Sequence, residues 1–152
     1  MGDEPVEDSP IAFVADHARR YAASGGEEGG ETNGVPVLLL TVRGRRSGAL
    51  RRTPVAFHRD GDAHVVVAAA RGARRHPQWY LNLVEDPAVE VQLGRERFPA
   101  TATVAEGAER ERLWSWLTEA FSPYAEYQEK AGRELPVVVL RRRSAEGPSV
   151  SG

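Results

Sequence analysis

The residues with the greatest chemical potential lie between Val37 and Phe57. Six arginines fall from Arg43 to Arg59, and no acidic residue occurs between Thr32 and Arg59. Three of them crowd the turn Arg43-Gly44-Arg45-Arg46-Ser47-Gly48. Cations at this density repel one another unless they are solvated or matched by an anion. The glycines allow the backbone to approach a ligand, and Ser47 adds a hydroxyl donor. The stretch reads as an anion site at a hairpin tip, with phosphate the first candidate, or as a solvated basic turn.

Other chemistries find little support. The chain has no cysteine, which removes thiolate nucleophiles, disulfides and cysteine-bound metals. The four histidines, His17, His58, His64 and His76, share no ligand spacing, so no metal site is expected. His58 and His64 could face each other across a hairpin in a structural role. The glycine-rich segment from Ser24 to Gly34 neither follows a strand nor opens a helix, which argues against a dinucleotide fingerprint. It reads as a linker or a lid.

The elements that must position the arginines follow from periodicity. Val37 to Val42 and Leu50 to Phe57 read as two strands of a hairpin around the basic turn. A second hairpin turns at Asp60-Gly61 and continues into a buried strand from His64 to Ala70. That strand ends in small residues, which suit tight packing or a flat ligand laid against the backbone. Ala88 to Leu93 alternates cleanly, with Val89, Val91 and Leu93 inward, and Glu96 to Val104 alternates around Phe98. Pro99 suggests that this latter strand is an edge or carries a bulge. Leu135 to Leu140 is the last strand. Helices are expected after Ser9-Pro10, from Pro77 to Leu83, from Glu106 to Phe121, and as a short piece from Tyr124 to Lys130. Trp79 shares a helix face with Leu83, which on its own suggests core packing, as do Trp114 and Trp116. The strands come in runs rather than in βαβ alternation, so the class is α+β: an antiparallel sheet or barrel of about six strands with flanking helices.

At 152 residues the chain has room for one domain with a real core. The expected division is a disordered stretch at 1–8, a domain at 9–140 with an N-terminal helix, and a disordered tail at 141–152. A net charge of −2 argues against a general nucleic-acid binder. No segment approaches transmembrane length, and the acidic opening MGDEPVEDSP lacks the features of a signal peptide. A cytoplasmic location is expected.

The motifs GVPVLLLTVRGRRSGALRRTPVAF, HPQWYLNLVEDPAVEVQL, PYAEYQ and LPVVVL, in this order and at these intervals, resemble the deazaflavin-dependent nitroreductase family. That family has a split β-barrel fold, binds coenzyme F420 and occurs mainly in actinobacteria. The resemblance covers roughly Phe13 to Leu140. It implies a flat deazaflavin ring on an anionic handle of phosphate, lactyl group and oligoglutamate tail.

Carried over, the resemblance assigns Arg46, Ser47 and Gly48 to the anionic side of the coenzyme. The returning strand would line it through Arg52, Thr53, Pro54, Val55 and Ala56, the next strand end through Ala69, Ala70 and Arg71, and the following helix through Trp79, Tyr80 and Asn82. Tyr124 and Tyr127 would face the substrate and could deliver a proton. Many relatives have lysine where Arg46 stands and a Ser-Lys pair where Ala70-Arg71 stands, and arginine is not geometrically equivalent to lysine. The implied function is an F420H2-dependent oxidoreductase, passing a hydride to a quinone, nitro compound or enone. A flavin mononucleotide (FMN) enzyme on the same architecture and a non-catalytic deazaflavin carrier are the alternatives. Peripheral contact with the inner face of a membrane through the first helix, and a homodimer, stay open.

Overall fold

The computed structural model describes residues 4–143. In chain order the elements are β1 (Val6–Asp8), α1 (Ala12–Ser24), β2 (Glu31–Thr32), β3 (Val35–Arg43), β4 (Leu50–Ala56), β5 (His58–Asp60), β6 (Ala63–Val67), α2 (Gln78–Glu85), β7 (Ala88–Leu93), β8 (Glu96–Val104), α3 (Gly107–Ala120), α4 (Pro123–Ala131) and β9 (Val137–Arg142). The strands form one curled sheet in the order β1-β4-β3-β7-β8-β9-β6-β5, with β2 paired to β3. This is the expected α+β split barrel. Every pairing is antiparallel except that of β1 with β4.

Strand β3 is apolar almost throughout because both of its faces are covered. Leu38, Leu40 and Val42 point into the barrel, against Val66, Val89, Val91, Phe98, Val138 and Leu140. Val37 and Leu39 point outward onto Ala18 and Tyr21 of α1. Likewise Val65, Val137 and Val139 leave the barrel interior and pack on Leu113 and Leu117 of α3 and Tyr124 of α4. The alternation of side chains along a strand thus assigns α1 to one outer face and the α3–α4 pair to another.

Several expectations are corrected. Residues Val6–Asp8 form a strand rather than a disordered lead, because β4 offers an open edge and cationic side chains for an acidic segment. Residues 1–3 and 144–152 lie outside the described residues, while Arg141 and Arg142 belong to β9 and not to a tail. Helix α1 starts at Ala12; Ser9 instead accepts a hydrogen bond from the Ile11 amide at 3.0 Å, a turn that sets the chain's direction before the helix. Strand β6 stops at Val67, three residues short of expectation. Strand β8 is central, between β7 and β9. Pro99 is tolerated there because its nitrogen faces β9 where that ladder ends, just beyond the Ala100–Arg142 pair. His58 and His64 lie on opposite faces of their hairpin. His58 packs edge-on against Trp116 and Tyr124, and His64 lies between Phe57 and Phe98.

Candidate active site

The basic turn between β3 and β4 is stitched from within. The Gly44 amide donates to Ala49 O at 2.7 Å, the Gly48 amide to Gly44 O at 2.9 Å, and the Ala49 amide to Ser47 Oγ at 3.1 Å. Arg45 ties the turn to α2: its amide and its guanidinium both donate to Asn82 Oδ1, at 3.1 and 2.8 Å, and the guanidinium also reaches Gln78 Oε1 at 3.0 Å. Asn82 is 4% exposed, so its carboxamide is a buried post for the turn. Arg46, Ser47 and Gly48 form the exposed outer side.

Below the turn runs a row of arginines already matched by acids. Arg52 makes a two-pronged ion pair with Asp8, Nε to Oδ1 at 2.8 Å and Nη2 to Oδ2 at 3.0 Å. Arg51 lies 3.8 Å from Glu7, and Arg43 pairs with Glu4. The parallel register of β1 on β4, Glu7 opposite Arg51 and Asp8 opposite Arg52, brings these partners together.

After β6 the chain enters a short 3-10 turn, Ala70–Gly72. Ala70 and Arg71 adopt left-handed backbone angles, φ 45° and 54°. For residues with a Cβ this costs about 1–2 kcal/mol each, and such strain collects at functional sites. Two features hold it. The Arg133 guanidinium donates to Ala68 O, Ala73 O and Arg75 O and lies 3.1 Å from His76 Nδ1. Gly72 presses on α4, where a Cβ would meet the Tyr127 carbonyl oxygen at 3.0 Å.

These segments enclose a cleft with two lobes. The larger, about 640 Å³, lies between α1, β4 and α2 and mixes apolar walls with Arg51, Arg52 and Arg71. The smaller, about 240 Å³, runs toward α4 and reaches Phe121, Tyr124 and Tyr127. Thr32, Pro54, Ala56, Ala70, Arg71 and Trp79 line both. Small side chains on flat backbone, with cations at one end, fit a flat ring bearing an anionic arm.

The two tyrosines differ. Tyr124 is 5% exposed, and its hydroxyl lies 2.9 Å from His58 Nε2. Burial, with the neighbouring Tyr127 hydroxyl, pushes its phenol up to about 12. Burial also lowers the imidazole of His58, keeping it neutral. Tyr127 is half-buried, and its hydroxyl has no hydrogen-bond partner among the described residues.

Of the residues picked out in the sequence, the larger lobe gathers Arg52, Thr53, Pro54, Ala56, Ala70, Arg71, Trp79 and Asn82, and the smaller adds Val55, Ala69, Tyr124 and Tyr127. Arg46, Ser47 and Gly48 sit on the turn, outside both lobes. Tyr80 packs on the barrel core and against His76, ring centroids 4.8 Å apart, and lines neither lobe. Sequence reasoning missed the cover supplied by α1, where Ile11 and Phe13 are 54% and 66% exposed, and His17, which lines the larger lobe and contacts Gly29 O at 2.7 Å. It also missed Arg133. The helix itself was expected, but not its seat over the cleft.

A family model described as F420H(2)-dependent quinone reductase matches residues 14–142. The chain belongs to this family. It is therefore an oxidoreductase of the F420 type, and the expectation of an F420-dependent enzyme holds over the FMN alternative. An F420H(2)-dependent quinone reductase of Mycobacterium tuberculosis is 37% identical over 131 residues, covering 84% of this chain and 88% of that protein. A solved F420-H2 dependent reductase is 39% identical, with a TM-score of 0.63, covering 70% of this chain and 94% of its own. A second solved protein, described as a domain-swapped dimer, is 36% identical with a TM-score of 0.65, covering 88% of this chain and all of its own. Apart from β1, the strands that line the cleft, together with α2, fall inside the matched region. Strand β1 and the start of α1 precede it.

Proposed function

We propose that the larger lobe holds reduced F420 and that the smaller lobe admits an electron-poor acceptor of the quinone class. The supporting observation is the common wall: Pro54, Ala56, Ala70, Arg71 and Trp79 border both lobes, so two ligands placed in them meet there. The coenzyme supplies a hydride, and the protein supplies position and electrostatics. Thr53, Pro54, Ala56 and Ala70 give the ring a flat seat, and Trp79 closes it. Arg52, Arg71 and the turn of Arg46, Ser47 and Gly48 face the anionic arm. Asn82 acts through Arg45 by fixing that turn. Tyr127 offers an unengaged hydroxyl to the acceptor oxygen. Tyr124 acts as a wall, its hydroxyl committed to His58.

The opening of α1 gives the coenzyme's lobe an apolar rim. Ile11 and Phe13 expose apolar surface at the mouth of the larger lobe, where an apolar tail or a membrane surface would rest. Among the described residues no helix is long and apolar enough to cross a membrane. A homodimer is the proposed assembly, supported by the domain-swapped relative; light scattering on the purified protein tests it.

Fluorescence titration with F420 and with FMN, at low and high salt, tests the coenzyme reading. Binding of F420 that weakens with salt and with Arg71→Ala is expected. Preference for FMN, or binding of neither, overturns it. Turnover with a panel of short- and long-tailed quinones then tests the acceptor.

A further inference from the structure

Three acidic residues of the N-terminal segment, Glu4, Glu7 and Asp8, pair with three arginines of the basic hairpin, Arg43, Arg51 and Arg52. The contact has a register: β1 lies parallel on β4, with Val6 opposite Leu50, Glu7 opposite Arg51 and Asp8 opposite Arg52. It also has a place, since Asp8, Ser9, Arg51 and Arg52 all line the larger lobe. Of the pairs, Asp8 with Arg52 is the most enclosed, the two side chains 17% and 22% exposed. An extended acidic peptide thus occupies cations that border the ligand cleft.

We propose that Glu7 and Asp8 are specificity-determining residues that compete with the coenzyme's oligoglutamate arm for Arg51 and Arg52. The inference rests on the reading of the larger lobe as the coenzyme site. The chemistry of competitor and ligand is the same: carboxylates spaced along a flexible chain. Arg46 and Arg71 have no acidic partner among the described residues and remain to receive the arm first. For the arm to extend along β4, β1 must yield its pairs. The strand can do so without unfolding α1, because the chain between them, Ser9 to Ile11, is a turn joined by a single hydrogen bond. The competition weakens binding of tailed coenzyme while leaving the ring's seat untouched. It also speeds release, which suits a hydride donor that leaves after one turnover to be reduced again by another oxidoreductase.

The test uses the full chain and the Glu7→Gln/Asp8→Asn variant. Each is titrated with F420 carrying its glutamate arm and with the deazaflavin chromophore lacking phosphate and arm. The variant should bind tailed F420 more tightly by roughly fivefold at low salt, the scale set by two ion pairs of partly exposed groups. The gain should vanish at high salt, and binding of the tail-less chromophore should not change. In the unsubstituted protein, hydrogen exchange at the amides of Val6, Glu7 and Asp8 should accelerate when tailed F420 is added and stay constant with the tail-less form. Unchanged or weaker binding of tailed F420 by the variant, or β1 amides that stay protected in the complex, overturns the proposal while leaving the coenzyme reading intact. Failure of both ligands to bind overturns the coenzyme reading and the proposal with it.

Discussion

The Tyr124 hydroxyl lies 2.9 Å from Nε2 of His58, and this pairing separates the roles of the two tyrosines on α4. A buried phenol pushed up to about 12 and held by an imidazole is a poor proton source near neutral pH. Tyr127, three residues along the same helix, has no hydrogen-bond partner for its hydroxyl among the described residues. Tyr127→Phe should lower kcat by about 10²-fold, the usual worth of a positioned proton donor, with coenzyme affinity unchanged. Tyr124→Phe should lower the melting temperature and spare most of kcat. Steady-state kinetics beside thermal melts distinguish the two. Full activity in both variants would remove tyrosine from the chemistry.

His64 is buried between Phe57 and Phe98, and among the described residues neither of its ring nitrogens has a hydrogen-bond partner. Burial lowers its pKa, and Arg59 adds to the effect. His58 and His76 are shifted the same way, also chiefly by burial. All three therefore take a proton more readily in the unfolded chain. The unfolded state binds more protons as pH falls below the usual imidazole value near 6.5, so stability drops from there downward. His64→Phe removes an unsatisfied polar group, a cost of about 1–3 kcal/mol. It should raise stability at neutral pH and flatten the decline between neutral and acid conditions. Denaturant melts across that range measure both effects.

Asn82 accepts two hydrogen bonds from Arg45, one of them from the backbone. Asn82→Leu leaves that amide and a guanidinium without their acceptor, costing about 1–3 kcal/mol. The turn of Arg46, Ser47 and Gly48 should loosen, and F420 affinity should fall more than the melting temperature alone predicts. Asn82→Asp should retain most of the affinity, because a carboxylate oxygen can accept the same two bonds. Calorimetric titration of both variants tests the assignment.

Ala70 sits at φ 45° in the wall common to both lobes. Glycine adopts this conformation without penalty, and a β-branched residue does not. Ala70→Gly should leave stability unchanged or raised. Ala70→Val should lower it by about 1–3 kcal/mol and weaken coenzyme binding. Equal melting temperatures for the two variants would show that the turn carries no strain.

Local patterns carried most of the fold. Alternation placed β7 and β8 at their observed limits, and the apolar run of β3 with its basic turn located the hairpin that forms one wall of the cleft. The resemblance then supplied a residue set, of which twelve members line the cleft: Arg52 through Ala56, Ala69 through Arg71, Trp79, Asn82, Tyr124 and Tyr127. What failed to show depended on distance along the chain. Val6–Asp8 has no β pattern of its own; it becomes a strand only because β4 presents a matching edge more than forty residues later, Asp8 lying 44 positions from Arg52. Arg133 sits in a plain charged loop, and only the folded chain brings it to the carbonyls of Ala68, Ala73 and Arg75. Tyr80 and Trp79 are neighbours on one helix and both pack on the barrel core, but a turn of roughly 100° per residue brings only Trp79 to the cleft.

Because Pro54, Ala56, Ala70, Arg71 and Trp79 belong to both lobes, neither lobe can fill without setting a boundary of the other. A ring resting on that common wall would form one side of the smaller lobe, and an acceptor seated there first would lack that side. A ring seated first completes the acceptor's lobe. The kinetic counterpart of this shape is an ordered sequential mechanism, coenzyme on first and off last, with initial-rate lines that intersect rather than run parallel.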